Sequence, residues 1–161
     1  MRDLIRVRMA DYKLCSPPDM VTTLGLGSCM GVAIYSDEPR WCGLAHIMLP
    51  DSKKITFMDN RNKFADTCLM DMYQDLLLHT GVNAHFFAKI AGGAKMFAYD
   101  SNNELLNIGE QNYEAVHRFL TEQGIPIMAE DVGEDFSRTI VFDPLREMMH
   151  ITAVGIKEYE I

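Results

Sequence analysis

The chain has 161 residues, of which 48% are hydrophobic and 24% are charged, so it suits one globular domain covering residues 1–161. Its formal net charge of −8 argues against binding to nucleic acid or to an anionic membrane surface, because both need clustered basic side chains. No apolar run reaches the roughly 18 residues that a membrane-spanning helix requires.

The N-terminus and the cysteines indicate the cellular compartment. Charged residues at Arg2, Asp3 and Arg6 occupy positions where a secretory signal peptide would have its apolar segment. We therefore expect a cytoplasmic protein with no direct membrane insertion. In that reducing compartment the four cysteines, at positions 15, 29, 42 and 68, are expected to be free thiols.

The periodicity of apolar residues predicts the elements in chain order. Alternating or β-branched apolar residues predict strands at 5–9, 20–24, 31–35, 41–49, 82–90, 125–130, 139–142 and 148–156. Helical spacing predicts one helix from Phe64 to Leu77, ending before Gly81, and a second from Asn107 to Gly124. Residues 50–62 are predicted as a polar loop and 94–103 as irregular. This order predicts an α+β fold in which mixed β-sheets are flanked by helices.

A cysteine follows a glycine-rich turn in the segment Thr22-Thr23-Leu24-Gly25-Leu26-Gly27-Ser28-Cys29. The glycines let the backbone approach a ligand closely, so the N–H groups of Gly27, Ser28 and Cys29 are candidates to hold an oxyanion. Because a strand rather than a helix is predicted after Cys29, its thiol would need a separate base for activation. The alternative is that Cys29 is only a small buried side chain after a turn.

His46 is the candidate base, and with a cysteine it forms the minimal machinery for acyl chemistry through a thioester. In the predicted strand 41–49 it shares a face with apolar neighbours, which favour the neutral imidazole. A third group must orient the ring, and the hydroxyl of Thr23 is placed to do so, whereas Thr22 would point to the opposite face. The alternative is that His46 is a hydrogen-bonded core residue.

Two glycine-rich turns have further interpretations. The glycine spacing at positions 25, 27 and 31 resembles that of a dinucleotide-binding loop. Such a loop should be followed by a helix, whereas residues 31–35 have the pattern of a strand. The segment Ala91-Gly92-Gly93-Ala94 is either a turn that cradles a substrate or a tight exit from a strand, and the sequence favours the exit. We therefore expect no dinucleotide cofactor.

A metal site is the remaining competing interpretation. Cys42 and His46, together with Asp51 or Cys29, contain suitable ligand types. On one strand, however, Cys42 and His46 would lie about 13 Å apart, which is too far to share one ion. We therefore expect no metal.

Six separate segments match one family in the same order along nearly the whole chain. They are Thr23 to Cys29, Ala45 to Pro50, Lys63 to Asp66, Lys89 to Phe97, Asn107-Ile108-Gly109 with Asn112, and Ala129-Glu130-Asp131. Together they resemble the CheD family of chemotaxis proteins. Two positions depart from the family pattern: Gln111 stands where an arginine is usual, and Glu134 stands where a glycine is usual.

The resemblance implies a cysteine hydrolase related in fold to toxin deamidases, with a triad of Cys29, His46 and Thr23. It implies a protein-glutamine deamidase that converts selected glutamines on the cytoplasmic helices of chemoreceptors to glutamate through a Cys thioester. The resemblance also implies the CheC phosphatase as a partner. Hydrolysis of receptor methyl esters is expected as a second reaction, because an ester presents an acyl carbon of similar shape. The alternatives are a non-catalytic chemotaxis adaptor that binds CheC and, less favoured, an enzyme for small amides.

Overall fold

The structure, a computed structural model, describes residues 1–53, 59–96 and 107–161. In that part of the chain it contains ten strands, two α-helices and one short 3₁₀ turn. The strands are β1 Leu4–Arg6, β2 Asp11–Cys15, β3 Met20–Leu26, β4 Met30–Ser36, β5 Cys42–Ile47, β6 Phe86–Gly92, β7 Ile127–Val132, β8 Arg138–Asp143, β9 Met148–Ala153 and β10 Lys157–Glu160. The helices are α1 Ala65–Thr80 and α2 Ile108–Glu122, and the 3₁₀ turn is Arg61–Lys63.

The strands form two five-stranded sheets. The first sheet has the strand order β1-β3-β8-β9-β10, and the second has the order β2-β5-β4-β6-β7. Both sheets are mixed, because β1 runs parallel to β3 and β7 runs parallel to β6. Helix α2 connects β6 to β7 and so provides the crossover that a parallel pair requires.

Two apolar cores hold the sheets and helices together in three layers. One core lies between the two sheets, and the other lies between the second sheet and the helices. On β5, Ala45 and Ile47 belong to the core under the helices, whereas Cys42 and Leu44 belong to the core between the sheets. Since side chains alternate along a strand, His46 faces the gap between the sheets.

The predicted α+β fold is confirmed, since helices pack against one of two mixed sheets. Both predicted helices are present as α1 and α2, and the predicted strands at 20–24, 31–35, 41–49 and 139–142 correspond to β3, β4, β5 and β8. The predicted strand at 82–90 begins later, at Phe86, and the one at 125–130 is shifted to Ile127–Val132. The strand directly after Cys29 excludes the dinucleotide loop, which would open a helix there.

Two strand predictions were wrong at the ends of the chain. The single strand expected at 5–9 ends at Arg6; the chain then turns at Ala10, whose φ is +60°, and enters the other sheet as β2. The strand expected at 148–156 ends at Ala153, because Gly155, with φ +76°, turns the chain back into β10. Alternating apolar residues continue through both turns, so periodicity alone did not reveal them.

Parts of two predicted segments lie outside the described residues. These are positions 54–58 of the predicted polar loop and positions 97–103 of the predicted irregular segment. Within the described ranges, neither helix has the length and apolar character needed to cross a membrane.

Candidate active site

Thr23 and His46 meet in the gap between the two sheets. Thr23 lies on β3 of the first sheet, His46 lies on β5 of the second, and both side chains are buried. Oγ1 of Thr23 is 2.7 Å from Nδ1 of His46 and 2.8 Å from the carbonyl oxygen of Val7. The hydroxyl of Thr22 donates instead to the carbonyl of Ile140, so Thr23 is the threonine that contacts the imidazole.

The two contacts of Thr23 determine which nitrogen of His46 carries the proton. The carbonyl of Val7 can only accept, so the single hydroxyl proton of Thr23 points to it. The hydroxyl oxygen then accepts from Nδ1–H of His46, which leaves the lone pair on Nε2. Nε2 is buried and has no hydrogen-bond partner among the described residues. The ring therefore presents a free basic nitrogen.

Cys29 is close in sequence to the β4 residue that pairs with His46. Gly31 of β4 is paired directly with His46 of β5, and Cys29 precedes Gly31 by two positions. Cys29 itself lies in the bend just before β4, one position outside the paired residues. Cys29 is partly exposed and packs against the core between the sheets, which is the gap that His46 faces. Cys29 therefore borders the same inter-sheet gap in which Thr23 contacts His46.

Burial sets the protonation of both reactive groups. It lowers the pKa of His46 to about 4, because the charged imidazolium loses its solvation. It raises the pKa of the Cys29 thiol, an effect that the backbone N–H of Cys29 partly offsets. At neutral pH the site therefore holds a thiol and a neutral imidazole, not an ion pair. The thiol must lose its proton as it attacks.

Of the predicted oxyanion donors, Gly27 is engaged within the turn. Its N–H donates to the carbonyl of Gly25 at 3.1 Å. The N–H groups of Ser28 and Cys29 donate to no other residue in the described part of the chain. Of the three predicted donors, Ser28 and Cys29 therefore keep N–H groups without an acceptor in another described residue, whereas the N–H of Gly27 is used within the turn.

The Gly92-Gly93 turn supports the cysteine loop from the neighbouring strand. The N–H of Gly93 donates to the carbonyl of Cys29 and the N–H of Ala94 donates to the carbonyl of Gly27, both at 2.9 Å. Gly92 has φ +115°, and a Cβ there would overlap the carbonyl oxygen of Cys29, so only glycine fits. The turn is thus more than the strand exit that the sequence favoured. Two consecutive glycines after a strand were the signal available in the sequence.

Arg138 and Glu134 lie behind this turn. Arg138 is buried, and it donates to the carbonyls of Gly92 and Gly133 and to the carboxylate of Asp131. Glu134 has φ +64°, a conformation that glycine adopts without cost and other residues adopt with strain. This explains physically why a glycine suits the position at which the sequence departs from the family pattern.

Cys42 and His46, the first two candidates for a metal site, each contact another side chain. The Sγ atom of Cys42 lies 3.5 Å from that of Cys15 on the neighbouring strand, and His46 is held by Thr23. Across residues 1–53, 59–96 and 107–161, no three His, Cys, Asp or Glu side chains are grouped as metal ligands would be.

Comparison with known proteins determines the family. A family profile described as CheD chemotactic sensory transduction matches residues 48–153. The probable chemoreceptor glutamine deamidase CheD of Lachnoclostridium phytofermentans is 45% identical over 161 residues, which are 100% of this chain and 100% of that protein. The chain belongs to the CheD family.

Two further CheD proteins also match this chain over nearly all of its length. The chemoreceptor glutamine deamidase CheD of Halalkalibacterium halodurans is 47% identical over 165 residues and 100% of both chains. The probable chemoreceptor glutamine deamidase CheD of Clostridium novyi is 40% identical over 155 residues and 96% of both chains. The full-length matches to CheD proteins cover positions 23, 29 and 46 of this chain, whereas the profile match begins at residue 48.

Proposed function

We propose that this CheD-family chain, as one domain, is a protein-glutamine deamidase whose catalytic residues are Cys29, His46 and Thr23. The observation that carries the proposal is the buried contact between Thr23 and His46, which leaves Nε2 unpartnered among the described residues in the gap where Cys29 also lies. A buried polar atom without a partner costs about 1–3 kcal/mol of stability. That cost favours a chemical role for the histidine over a structural one.

The first half of the proposed reaction forms a thioester. Nε2 of His46 takes the proton of the Cys29 thiol as Sγ attacks the carboxamide carbon of the substrate glutamine. The N–H groups of Ser28 and Cys29 stabilise the oxyanion that develops on the carboxamide oxygen. The imidazolium then gives its proton to the departing nitrogen, which leaves as ammonia.

The second half hydrolyses the thioester. Nε2 of His46 takes a proton from a water molecule, whose oxygen attacks the thioester carbon. The sulfur of Cys29 leaves and takes the proton back from the imidazolium of His46, which restores the thiol and the neutral base. The product is a glutamate side chain. Thr23 keeps the imidazole in one tautomer through both halves. A methyl glutamate ester would react by the same steps and release methanol, because its acyl carbon has a similar shape.

The relatives' names supply the substrate class. They are called chemoreceptor glutamine deamidases, and we propose glutamines on cytoplasmic receptor helices as the substrate here. The net charge of −8 gives no attraction to acidic helices, so recognition relies on shape near the site. We propose the CheC phosphatase as a binding partner. A non-catalytic adaptor that binds CheC is the competing function, although it would not need a free base beside a thiol.

Ammonia release from a receptor cytoplasmic fragment, with and without CheC, tests the proposal. Mass spectrometry of the fragment should detect amide-to-acid conversion at specific glutamines. Cys29→Ala and His46→Ala should each abolish both signals, whereas Cys15→Ala, at a buried cysteine away from the site, should retain them.

Three results would contradict the proposal. Retained activity in Cys29→Ala would exclude the cysteine mechanism. An unmodified receptor fragment together with CheC binding would favour the adaptor. Faster hydrolysis of free glutamine than of the receptor fragment would favour an enzyme for small amides.

A further inference from the structure

We infer that Asn112 is a positioning residue of this site, which aims the N–H of Cys29 and joins the cysteine loop to the histidine strand. The inference rests on the proposed function, because it assigns Asn112 a role relative to Cys29 as nucleophile and His46 as base. Asn112 lies on α2, and its side chain donates to two backbone carbonyls rather than to the side chains of Cys29 or His46.

One carboxamide bridges the two segments that carry the reactive groups. Asn112 is fully buried, and its Nδ2 donates to the carbonyl of Ser28 and to the carbonyl of Met48, both at 2.9 Å. Ser28 directly precedes Cys29, and Met48 follows His46 by two positions. The two N–H bonds of a single amide group therefore set the separation of the two segments.

The orientation of the Asn112 amide follows from its surroundings. Both neighbouring groups are carbonyl oxygens, which can only accept, so the NH₂ group must face them. Oδ1 is then buried and has no hydrogen-bond partner in the described ranges. An unmatched buried acceptor costs stability, and a leucine would avoid that cost only by leaving the carbonyls of Ser28 and Met48 without this donor. Asparagine at this position is therefore explained by the two carbonyls that it binds.

Peptide geometry connects Asn112 to the oxyanion donors. The cis peptide bonds found in the described chain precede Pro18 and Pro39, so the bonds of the cysteine loop are trans. In a trans peptide the carbonyl and the N–H point in opposite directions. Asn112 draws the carbonyl of Ser28 toward α2, and the N–H of Cys29 therefore points away from α2. Ala94 acts in the same way on the carbonyl of Gly27 and so directs the N–H of Ser28.

Helix α2 packs closely against the Gly93-Ala94 turn, and this close packing fixes the position of Asn112 relative to the cysteine loop. Gly109, in the first turn of α2, packs so closely that a Cβ there would overlap the carbonyl oxygen of Ala94. The helix and the Gly93-Ala94 turn thus bind the three carbonyls of residues 27, 28 and 29. The peptide groups of the cysteine loop are fixed by these three bonds, and with them the directions of the N–H groups of Ser28 and Cys29.

Asn112→Leu tests the inference, because leucine has the same branching at Cγ and no donor. We expect kcat for deamidation of the receptor fragment to fall about 10- to 100-fold, with KM within about threefold of the wild-type value. Val116→Ala is the matched control, since Val116 is buried on the same helix one turn away and loses packing without losing the bridge. It should keep the wild-type kcat at a temperature where circular dichroism shows both variants folded.

Asn112→Asp provides a second variant if the leucine variant does not fold. Burial raises the pKa of such a carboxyl, which donates one hydrogen bond when protonated and repels both carbonyls when ionised. We expect kcat of the folded variant to fall as the pH rises from about 5 to about 8, while the wild-type value does not fall. If Asn112 only filled space, Asn112→Asp would keep the wild-type pH profile, because the aspartate and asparagine side chains have nearly the same shape.

Three outcomes would overturn the positioning role. The first is a wild-type kcat in folded Asn112→Leu, and the second is a wild-type pH profile in folded Asn112→Asp. The third is an equal loss of kcat in Val116→Ala at the same folded fraction. Cys29→Ala, assayed in parallel, distinguishes a failure of the proposed function from a failure of the positioning role alone. If it is active, the proposed function fails; if it is inactive while the Asn112 variants keep wild-type kcat, only the positioning role fails.

Discussion

The hydroxyl of Thr23 lies 2.7 Å from Nδ1 of His46, although the two residues are 23 positions apart and belong to different sheets. The hydroxyl of Thr23 donates its hydrogen bond to the carbonyl of Val7, and this leaves the hydroxyl oxygen as an acceptor for the imidazole. A neutral hydroxyl therefore orients the ring without adding a charge to the gap. The histidine is held as a base by hydrogen bonding and by burial together.

Thr23→Val should lower kcat for deamidation by about 100-fold, a smaller loss than that caused by removing Cys29. Valine has the shape of threonine, but it leaves Nδ1–H without an acceptor, so the ring can place its proton on Nε2 and lose its function as a base. Thr23→Ser keeps the hydroxyl and should keep most of the activity. Nitrogen-15 NMR of the His46 ring would report the tautomer directly, and an unchanged kcat in folded Thr23→Val would contradict this role.

The stability of the protein should depend on the protonation of His46. Its pKa is about 4 in the folded protein, below the 6.5 of an exposed histidine, so the unfolded chain binds more protons between these values. Stability is therefore retained above pH 6.5 and lost as the pH falls toward 4. The linkage predicts a loss of about 2 kcal/mol between pH 7 and pH 5 from this residue.

Urea unfolding at the two pH values measures that loss. His46→Gln should lose about 2 kcal/mol less stability than the wild type over the same interval. His85→Gln serves as the control, because the side chain of His85 is 80% exposed, and it should reproduce the wild-type dependence. Equal pH dependence in His46→Gln and the wild type would show that the imidazole is not buried neutral.

Cys29 should be the first cysteine to react with iodoacetamide in the folded protein. It is partly exposed, whereas Cys15, Cys42 and Cys68 are buried. Burial raises the pKa of Cys29, so its alkylation rate should keep rising with pH through about 8 and 9. Peptide mass spectrometry identifies the modified residue, with Cys29→Ser as the control. A rate that is already constant below about pH 7 would indicate a thiolate–imidazolium pair instead.

Glu134→Gly should stabilise the protein by about 0.5–1 kcal/mol. Glu134 adopts φ +64°, and glycine removes the strain of that conformation at a smaller cost in unfolded-state entropy. Glu134→Ala removes the same carboxylate but keeps a Cβ, so it should leave the unfolding free energy nearly unchanged. If both variants shifted the urea midpoint equally, the effect would come from the charge and not from the backbone.

Local patterns predicted the elements well where packing agrees with periodicity. The apolar spacing of α1 and the alternation along β5 correctly separated the residues that face the helices from those that face the other sheet. Periodicity failed where a turn interrupts an apolar pattern without a strong breaker, as at Ala10, which adopts φ +60° although alanine does not favour it. Tertiary contacts stabilise that turn, since the N–H of Ala10 donates to the carbonyl of His46.

The sequence by itself determined which residues are chemically able to act: a cysteine after a glycine turn, a histidine on an apolar strand and a threonine one strand earlier. Only the tertiary structure decided that Thr23 reaches Nδ1, that Nε2 stays unpartnered among the described residues, and that Asn112 bridges Ser28 and Met48. The reason is that these contacts join segments far apart in the chain. Their geometry is set by the register of the strands, the packing of one sheet on the other and the depth of α2, and no local pattern encodes these.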